Sequence, residues 1–301
     1  MDKCSYFINN KALFGSSPTQ EIVAELESLG VKYFVDLTCM NERGISEYTT
    51  KYSHLKFPIK DRSVPENKLA FCSFILKIFL ILKNLKSGVK MYVHCKGGHG
   101  RSGVVVASLL CLYYNITPEL ALEKTKEAHQ QRKTMRDKWR EIGSPQTIFQ
   151  KNFVISLFKP ILYHSNQYTC FDTQSSNSIT INNLGIFPTV ESLYQAFKNP
   201  FDKNYLKDLQ NPANDPIKLG KNVKLRQDKD WNKIKLAVMY NVLKIKFNQY
   251  PDHLSILINT YLRPIIKCSS ETSYWCNMEN NFFGRLLEKI RNEQFLSTKE
   301  F

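Results

Sequence analysis

One segment constrains this chain more than any other: Val93-His94-Cys95-Lys96-Gly97-Gly98-His99-Gly100-Arg101-Ser102-Gly103. Just before it, Lys90 to His94 is a short run rich in β-formers and reads as a buried strand. Just after it, Ser102 to Tyr114 opens with small residues, turns strongly apolar and reads as a buried helix. Three glycines lie among the five residues between Cys95 and Arg101. They let the backbone curl until successive N–H groups point inward, which makes a nest for an anion. The helix that follows aims its N-terminal dipole at the same point.

The spacing gives each residue a task. A thiol at a helix N-terminus beside a cation has its pKa lowered from about 8.5 to about 3.5–7.5. Cys95 is therefore expected to be a thiolate nucleophile. Arg101 can grip two phosphate oxygens with its planar fork, while Lys96, Gly97, Gly98, His99 and Gly100 line the nest. Ser102 is placed to hydrogen-bond the sulfur and help it leave. The opposing reading is a structural cysteine beside a glycine turn. His-Cys, five residues and Arg-Ser between a strand and a helix argue jointly against it. His94 is expected to pack and orient the loop; His99 either touches substrate or sits exposed in the loop.

Further elements fit an α/β sheet with mostly parallel strands flanked by helices. Val31 to Leu37 reads as a strand and Lys68 to Leu85 as a helix, and Thr117-Pro118-Glu119 is a helix start. The apolar stretch Ala70–Leu85 is broken by Lys77 and Lys83, short of the roughly 20 residues of a membrane span. Met1 to Asn10 has no signal-peptide character. No membrane partner is expected. Eight cysteines occur with no CxxC pair and no Cys/His metal spacing. They argue for free thiols in a reducing, cytoplasmic setting, with no metal and no cofactor. The formal net charge of +15 is spread over both halves. It favours anionic partners such as phosphates, nucleotides or nucleic acid, or simply keeps the surface solvated.

HCKGGHGRSG resembles the signature loop of the cysteine-based tyrosine and dual-specificity phosphatases, over roughly residues 5–158. That resemblance implies a phosphate monoesterase acting on a phosphorylated protein, nucleotide or RNA, and leaves phosphotyrosine, phosphothreonine, RNA 5′-phosphate and phosphoinositide all open as substrates. Asp61, in Pro58-Ile59-Lys60-Asp61-Arg62-Ser63-Val64-Pro65, resembles the family's general-acid loop, and would protonate the leaving oxygen and then activate water. Such a group contributes about 10²–10⁴-fold. Gln150, in Ser144-Pro145-Gln146-Thr147-Ile148-Phe149-Gln150, resembles the glutamine that positions water in compact members. Asp36 matches the family's early strand and is expected to be structural.

Tyr163 to Ser178 is polar and reads as a loop or linker, so a boundary is placed near residue 160, dividing the chain into 1–160 and 161–301. Beyond it, Glu191–Lys198, Trp231–Phe247 and Phe283–Arg291 look helical. Trp231, Met239 and Phe247 recur at eight-residue steps, which fits one helix face.

PTVESLYQAFK (188–198), LGKNVKLRQDKDW (219–231), KLAVMYNVLKIKF (235–247) and NNFFGRLLEKIR (280–291) together resemble the NADAR (YbiA-like) family, in that family's order. The resemblance implies a mainly α-helical NADAR-like domain that binds ADP-ribose-type ligands, including an ADP-ribosylated partner, and cleaves N-glycosidic bonds. It implies a catalytic Glu191, a pocket shaped by Trp231, and family positions at Lys246 and Asn281. A carboxylate suits that chemistry because the transition state is oxocarbenium-like. The pattern departs at Lys267, where the family carries an acid, at Glu271-Thr272, and at Cys170-Phe171 in place of Ser-Asn-Phe. A module that only binds such ligands is the alternative.

Overall fold

The computed structural model describes residues 2–163, 168–225, 230–268, 274–275 and 280–297. They fall into two compact units. The first holds Met1–Lys159 together with Tyr261–Arg263 and the C-terminal residues; the second holds Pro160–Thr260 and Pro264–Gln294.

In the first unit the chain runs β1 (Cys4–Ile8), β2 (Ala12–Ser16), α1 (Gln20–Ser28), β3 (Val31–Asp36), β4 (Ser53–Lys56), α2 (Lys68–Lys83) and β5 (Lys90–Cys95). It continues through α3 (Arg101–Tyr114), α4 (Pro118–Gln130), α5 (Asp137–Ile142) and α6 (Ile148–Phe158). The sheet order is β1-β2-β5-β3-β4, with β1 antiparallel to β2 and every other neighbour parallel. β5 is central, and α3 is buried from Arg101 to Cys111. Such an all-round apolar helix belongs inside a layered fold. Each Val or Leu side chain it buries stabilises the unit by about 1.5–3 kcal/mol. α3 stops at Asn115, whose left-handed backbone (φ 51°, ψ 48°) terminates the helix. Thr117 caps α4, accepting from the Leu120 N–H at 3.4 Å.

Register aligns the site. In β2, Ser16 lies opposite Cys95, and in β3, Asp36 lies opposite His94. Parallel strands thus deliver their C-terminal ends, and the loops behind them, to one edge of the sheet. That edge is where ligands bind in open α/β sheets.

The second unit is rich in helix. It runs β6 (Ile161–Tyr163), a 3₁₀ turn (Thr169–Phe171), β7 (Ile179–Ile181), β8 (Gly185–Phe187), α7 (Val190–Ala196), α8 (Lys203–Gln210) and α9 (Pro216–Asn222). Then come α10 (Trp231–Gln249), α11 (Pro251–Ile258), β9 (Ile265–Lys267) and α12 (Phe282–Ser297). Trp231, Met239 and Phe247 all face the core, as the eight-residue spacing implies.

Of the loop or linker expected over Tyr163–Ser178, the described residues 168–178 are a short 3₁₀ turn followed by loop, but the stretch is anchored in the core and is no free linker. Tyr163 and Phe171 are fully buried, and β6 pairs with β9. Tyr168 stacks on Phe171 with ring centroids 5.1 Å apart. The polar residues that suggested a linker satisfy themselves locally: Ser175 Oγ donates to the Asp172 carbonyl at 2.9 Å. A few inserted aromatics outweigh many polar neighbours.

Candidate functional site

The signature loop leaves β5 at Cys95 and enters α3 at Arg101. Gly98 has φ +73°, and a Cβ there would come within 2.3 Å of the Gly15 carbonyl carbon. The loop therefore lies directly on the end of β2, which only glycine permits. The Ser17 N–H donates to the Lys96 carbonyl at 3.1 Å, and the Leu37 N–H donates to the His94 carbonyl at 3.1 Å. Gly100 rests on the Gln150 side chain, whose nitrogen would stand 2.8 Å from an added Cβ.

Cys95 is buried, with its sulfur 3.5 Å from Ser102 Oγ. The Arg101 side chain is 1% exposed. One guanidinium nitrogen donates to Glu42 Oε2 at 2.6 Å and to the Ile59 carbonyl at 2.9 Å. The other donates to Glu42 Oε1 at 2.7 Å and to Asp61 Oδ1 at 2.9 Å. Burial alone would lower the guanidinium pKa. Its hydrogen bonds to Glu42, with the charges of Cys95, Glu42 and Asp61, hold it above the ordinary arginine value. In return, the Arg101 hydrogen bonds hold the Glu42 carboxyl below its own usual value.

Sequence reasoning did not find Glu42. It reaches the site through a loop whose chain positions give no periodic signal. Nor did it find the network behind Cys95. Tyr48 O–H lies 2.6 Å from His94 Nε2 and 3.1 Å from His54 Nε2, and His54 Nε2 lies 3.3 Å from Asp36 Oδ2. Burial alone would raise the Asp36 carboxyl, but hydrogen bonds from His54 and Thr38 hold it well below the carboxylate range. Asp36, His54 and His94 offer ligand atoms within 4.8 Å of one another, an arrangement that could hold a metal ion. The same three side chains are already joined through Tyr48 and Thr38 by hydrogen bonds, which use His94 Nε2.

Asp61 sits at Arg101 with its side chain 56% exposed. Gln150 is buried and works locally. It forms a capping box with Thr147 at the start of α6 and donates to the Ser63 carbonyl at 3.0 Å. It thereby ties α6 to the loop that carries Asp61. His99 differs from an exposed loop residue: its ring stacks on Trp139 (4.8 Å) and lies 2.8 Å from His129 Nε2. Ser144 Oγ donates to the His99 carbonyl at 2.6 Å. The ring is thus engaged on both sides and only half-buried, rather than free in solvent.

These histidines give the first expected outcome. Burial pushes His94 and His99 down to about 4 and His129 down to about 3. Between those values and the unfolded value near 6.5, the unfolded chain binds more protons than the folded one. Stability is thus full above about pH 6.5 and is lost as pH falls, by up to about 1.4 kcal/mol per pH unit for each histidine that stays neutral. Urea unfolding at about pH 7.5 and about pH 5 checks this. A midpoint that rises or holds steady at the lower pH contradicts it.

In the second unit, Glu191 lies in the first turn of α7, capped by Thr189. Its carboxylate accepts from Gln195 Nε2 at 2.7 Å, and its N–H donates to the Thr173 carbonyl at 2.8 Å. Tyr194 packs on Trp231 and Trp275, and the Lys198 ammonium lies 5.8 Å from the Trp231 ring centroid. Lys246 is buried and donates to the Asp172 carbonyl and to Ser175 Oγ. Burial pushes it down to about 8, against the attraction of Cys170 and Asp172. Lys267 pairs with Asp172 at 3.8 Å. Segment 172–175 thus brings Glu191, Lys246 and Lys267 into one neighbourhood. Asn281 donates to the Ile265 carbonyl at 2.7 Å, clasping β9, the strand that ends at Lys267. Glu271 and Thr272 lie outside the described residues.

Comparison with known proteins agrees with this division. Residues 2–152 match the family model described as Swiss Army Knife protein, DSP-PTPase phosphatase domain, and residues 156–294 match the NADAR domain. The tyrosine phosphatase candidate 197R of Invertebrate iridescent virus 6 is 40% identical over 183 residues, covering 57% of this chain and 67% of the relative. The corresponding 067L of Invertebrate iridescent virus 3 is 38% identical, covering 55% and 69%. N-glycosidase YbiA of Shigella flexneri serotype 5b (strain 8401) is 24% identical, covering 43% of this chain and 83% of the relative. With its first half matched throughout, the chain belongs to the DSP-PTPase phosphatase domain family of the Swiss Army Knife proteins.

Proposed function

We propose that the first unit hydrolyses phosphate monoesters through a phosphocysteine. The Cys95 sulfur attacks phosphorus; the S–P bond forms as the ester P–O bond breaks, and Asp61 gives its proton to the leaving oxygen. Asp61 then takes a proton from water, which attacks phosphorus. The S–P bond breaks, inorganic phosphate leaves, and Ser102 hydrogen-bonds the departing sulfur. Arg101 and the loop N–H groups hold the equatorial oxygens. The observation that carries this reading is the placement of Cys95, Ser102, Arg101 and Asp61 around one loop between β5 and α3. In it, Asp61 occupies a guanidinium nitrogen that an arriving phosphate would take over, freeing the acid for the leaving group. Acid quench of a reaction with ³²P-labelled aryl phosphate tests the scheme. Label bound covalently to the chain and lost in Cys95→Ser is expected. Turnover without any covalent label in a rapid quench contradicts it.

We infer that the second unit takes ADP-ribose-type ligands, with Glu191 as the carboxylate that stabilises an oxocarbenium-like centre. The resemblance to a named N-glycosidase and the Glu191–Trp231–Lys198 neighbourhood support it. A second reading, binding without cleavage, is favoured by Lys267. There a cation paired with Asp172 stands where the resemblance implies an acid. Release of ADP-ribose from ADP-ribosylated guanine by the full chain, lost in Glu191→Gln, supports cleavage. Ligand binding without release supports the second reading.

A further inference from the structure

Three large apolar side chains, the most exposed of those described in the first unit, lie on segments hydrogen-bonded to the phosphate site. Met40 is 87% exposed, Phe149 77% and Ile148 63%. The next most exposed large apolar side chain described in that unit, Tyr114, reaches 49%. Single scattered apolar residues on a surface carry no meaning. These three are joined through the site. Met40 stands two residues before Glu42, which bonds Arg101, and Arg101 bonds Asp61. Ser63, two residues beyond Asp61, accepts from Gln150, which directly follows Ile148 and Phe149.

Cations share the same loops. Arg43, Lys60, Arg62 and Lys96 are exposed, and among the described residues none has an acid within 4 Å. The Lys96 ammonium donates to the Arg43 carbonyl at 2.6 Å, which fixes its charge beside the loop that holds Glu42. Against these four stand two exposed acids on the same stretches, Glu47 and Glu66. Glu42 and Asp61 are engaged with Arg101.

Bare apolar side chains and unpaired cations around a phosphate site have the chemistry of an interfacial binder. The apolar groups enter the acyl boundary while the cations meet anionic headgroups. A peptide partner is ordinarily met by pockets and half-buried anchors; these side chains stand clear of the surface. Resting on the phosphomonoesterase reading above, we propose that the first unit works on an anionic lipid surface, with Met40, Ile148 and Phe149 entering it. Its substrate is a phosphate monoester on a lipid headgroup. The product is the lipid alcohol, with the phosphoryl group passing through Cys95 to water. This contact is peripheral and differs from the membrane span that the sequence argues against. No described helix is long and apolar enough to cross a membrane.

The test uses the full chain, a Met40→Ser/Phe149→Ser double variant and Cys95→Ser. Vesicles are phosphatidylcholine with about one-fifth phosphatidylserine. They carry either phosphatidic acid or a phosphatidylinositol monophosphate, each set against its soluble headgroup, glycerol phosphate or inositol phosphate. A phosphotyrosine peptide and an aryl phosphate complete the set. The full chain is expected to cosediment with the vesicles and to release phosphate from one vesicle lipid about tenfold faster than from its soluble headgroup or the peptide. The double variant is expected to lose that gap and the cosedimentation while keeping its aryl phosphate rate. Equal rates on vesicle and soluble forms, a faster peptide, or a gap that survives in the double variant overturns the proposal, with aryl phosphate turnover still upholding the phosphatase reading. Vesicle binding lost in the double variant, with no aryl phosphate turnover by any form, overturns the phosphatase reading and leaves the lipid surface standing.

Discussion

Serine in place of Cys95 is expected to lower aryl phosphate turnover by about 10⁴-fold or more, roughly 5 kcal/mol in the barrier. The loop is built to favour an anion at its centre. A thiol can supply that anion near neutral pH and a serine hydroxyl cannot. The geometry around the sulfur should survive the change. Cys95 is buried, 3.5 Å from Ser102 Oγ, and serine keeps both the size and the hydrogen-bonding partner. The urea midpoint should therefore move by less than about 1 kcal/mol. The Arg101 guanidinium should also remain fixed, because its contacts run to Glu42, Ile59 and Asp61 rather than to the sulfur. Steady-state kinetics and urea unfolding on the same preparation decide it. A serine variant that keeps more than about one hundredth of the turnover removes Cys95 as nucleophile.

What could be read without the structure follows from how local each feature is. The strand, glycine loop and helix around Cys95 are contiguous, so their chemistry was legible from spacing alone. Thr117 was legible as a cap for the same reason, since a cap acts within one turn. Asp36 and His94 are far apart in the chain and meet only because parallel strands set them opposite each other. Glu42 and Tyr48 enter through a loop that carries no periodicity, and His54 through β4, a strand of only four residues. The early strands β1 and β2 gave no clear strand signal because Cys4, Ser5, Gly15 and Ser16 dilute their β-formers, unlike the run Lys90–His94. The anchoring of the polar stretch after residue 160 was not legible because polarity averages over a window, whereas Tyr163, Cys170 and Phe171 are buried in the core.

Lysine in place of Arg101 is expected to lower kcat by about 10²–10³-fold, a loss of about 2.7–4 kcal/mol of transition-state stabilisation, despite keeping the charge. Arginine here does two jobs with one planar group. It grips both Glu42 oxygens, at 2.6 and 2.7 Å, while reaching the Ile59 carbonyl and Asp61. It must also present donors to the phosphate. A lysine ammonium is a point charge on a flexible stem and cannot span two carboxylate oxygens and a phosphate together. The Glu42 side chain, 12% exposed, then keeps a charge with a weakened partner. Breaking a buried pair outright costs about 3–5 kcal/mol; a lysine that still reaches Glu42 would lose less, and the urea midpoint should fall accordingly. Glu42→Gln separates the two effects. It keeps one acceptor for Arg101 and leaves the guanidinium free for phosphate, so it should cost stability more than kcat. A lysine variant within about tenfold of the wild-type kcat would show that charge alone suffices at this position, and that the fork held by Glu42 is structural.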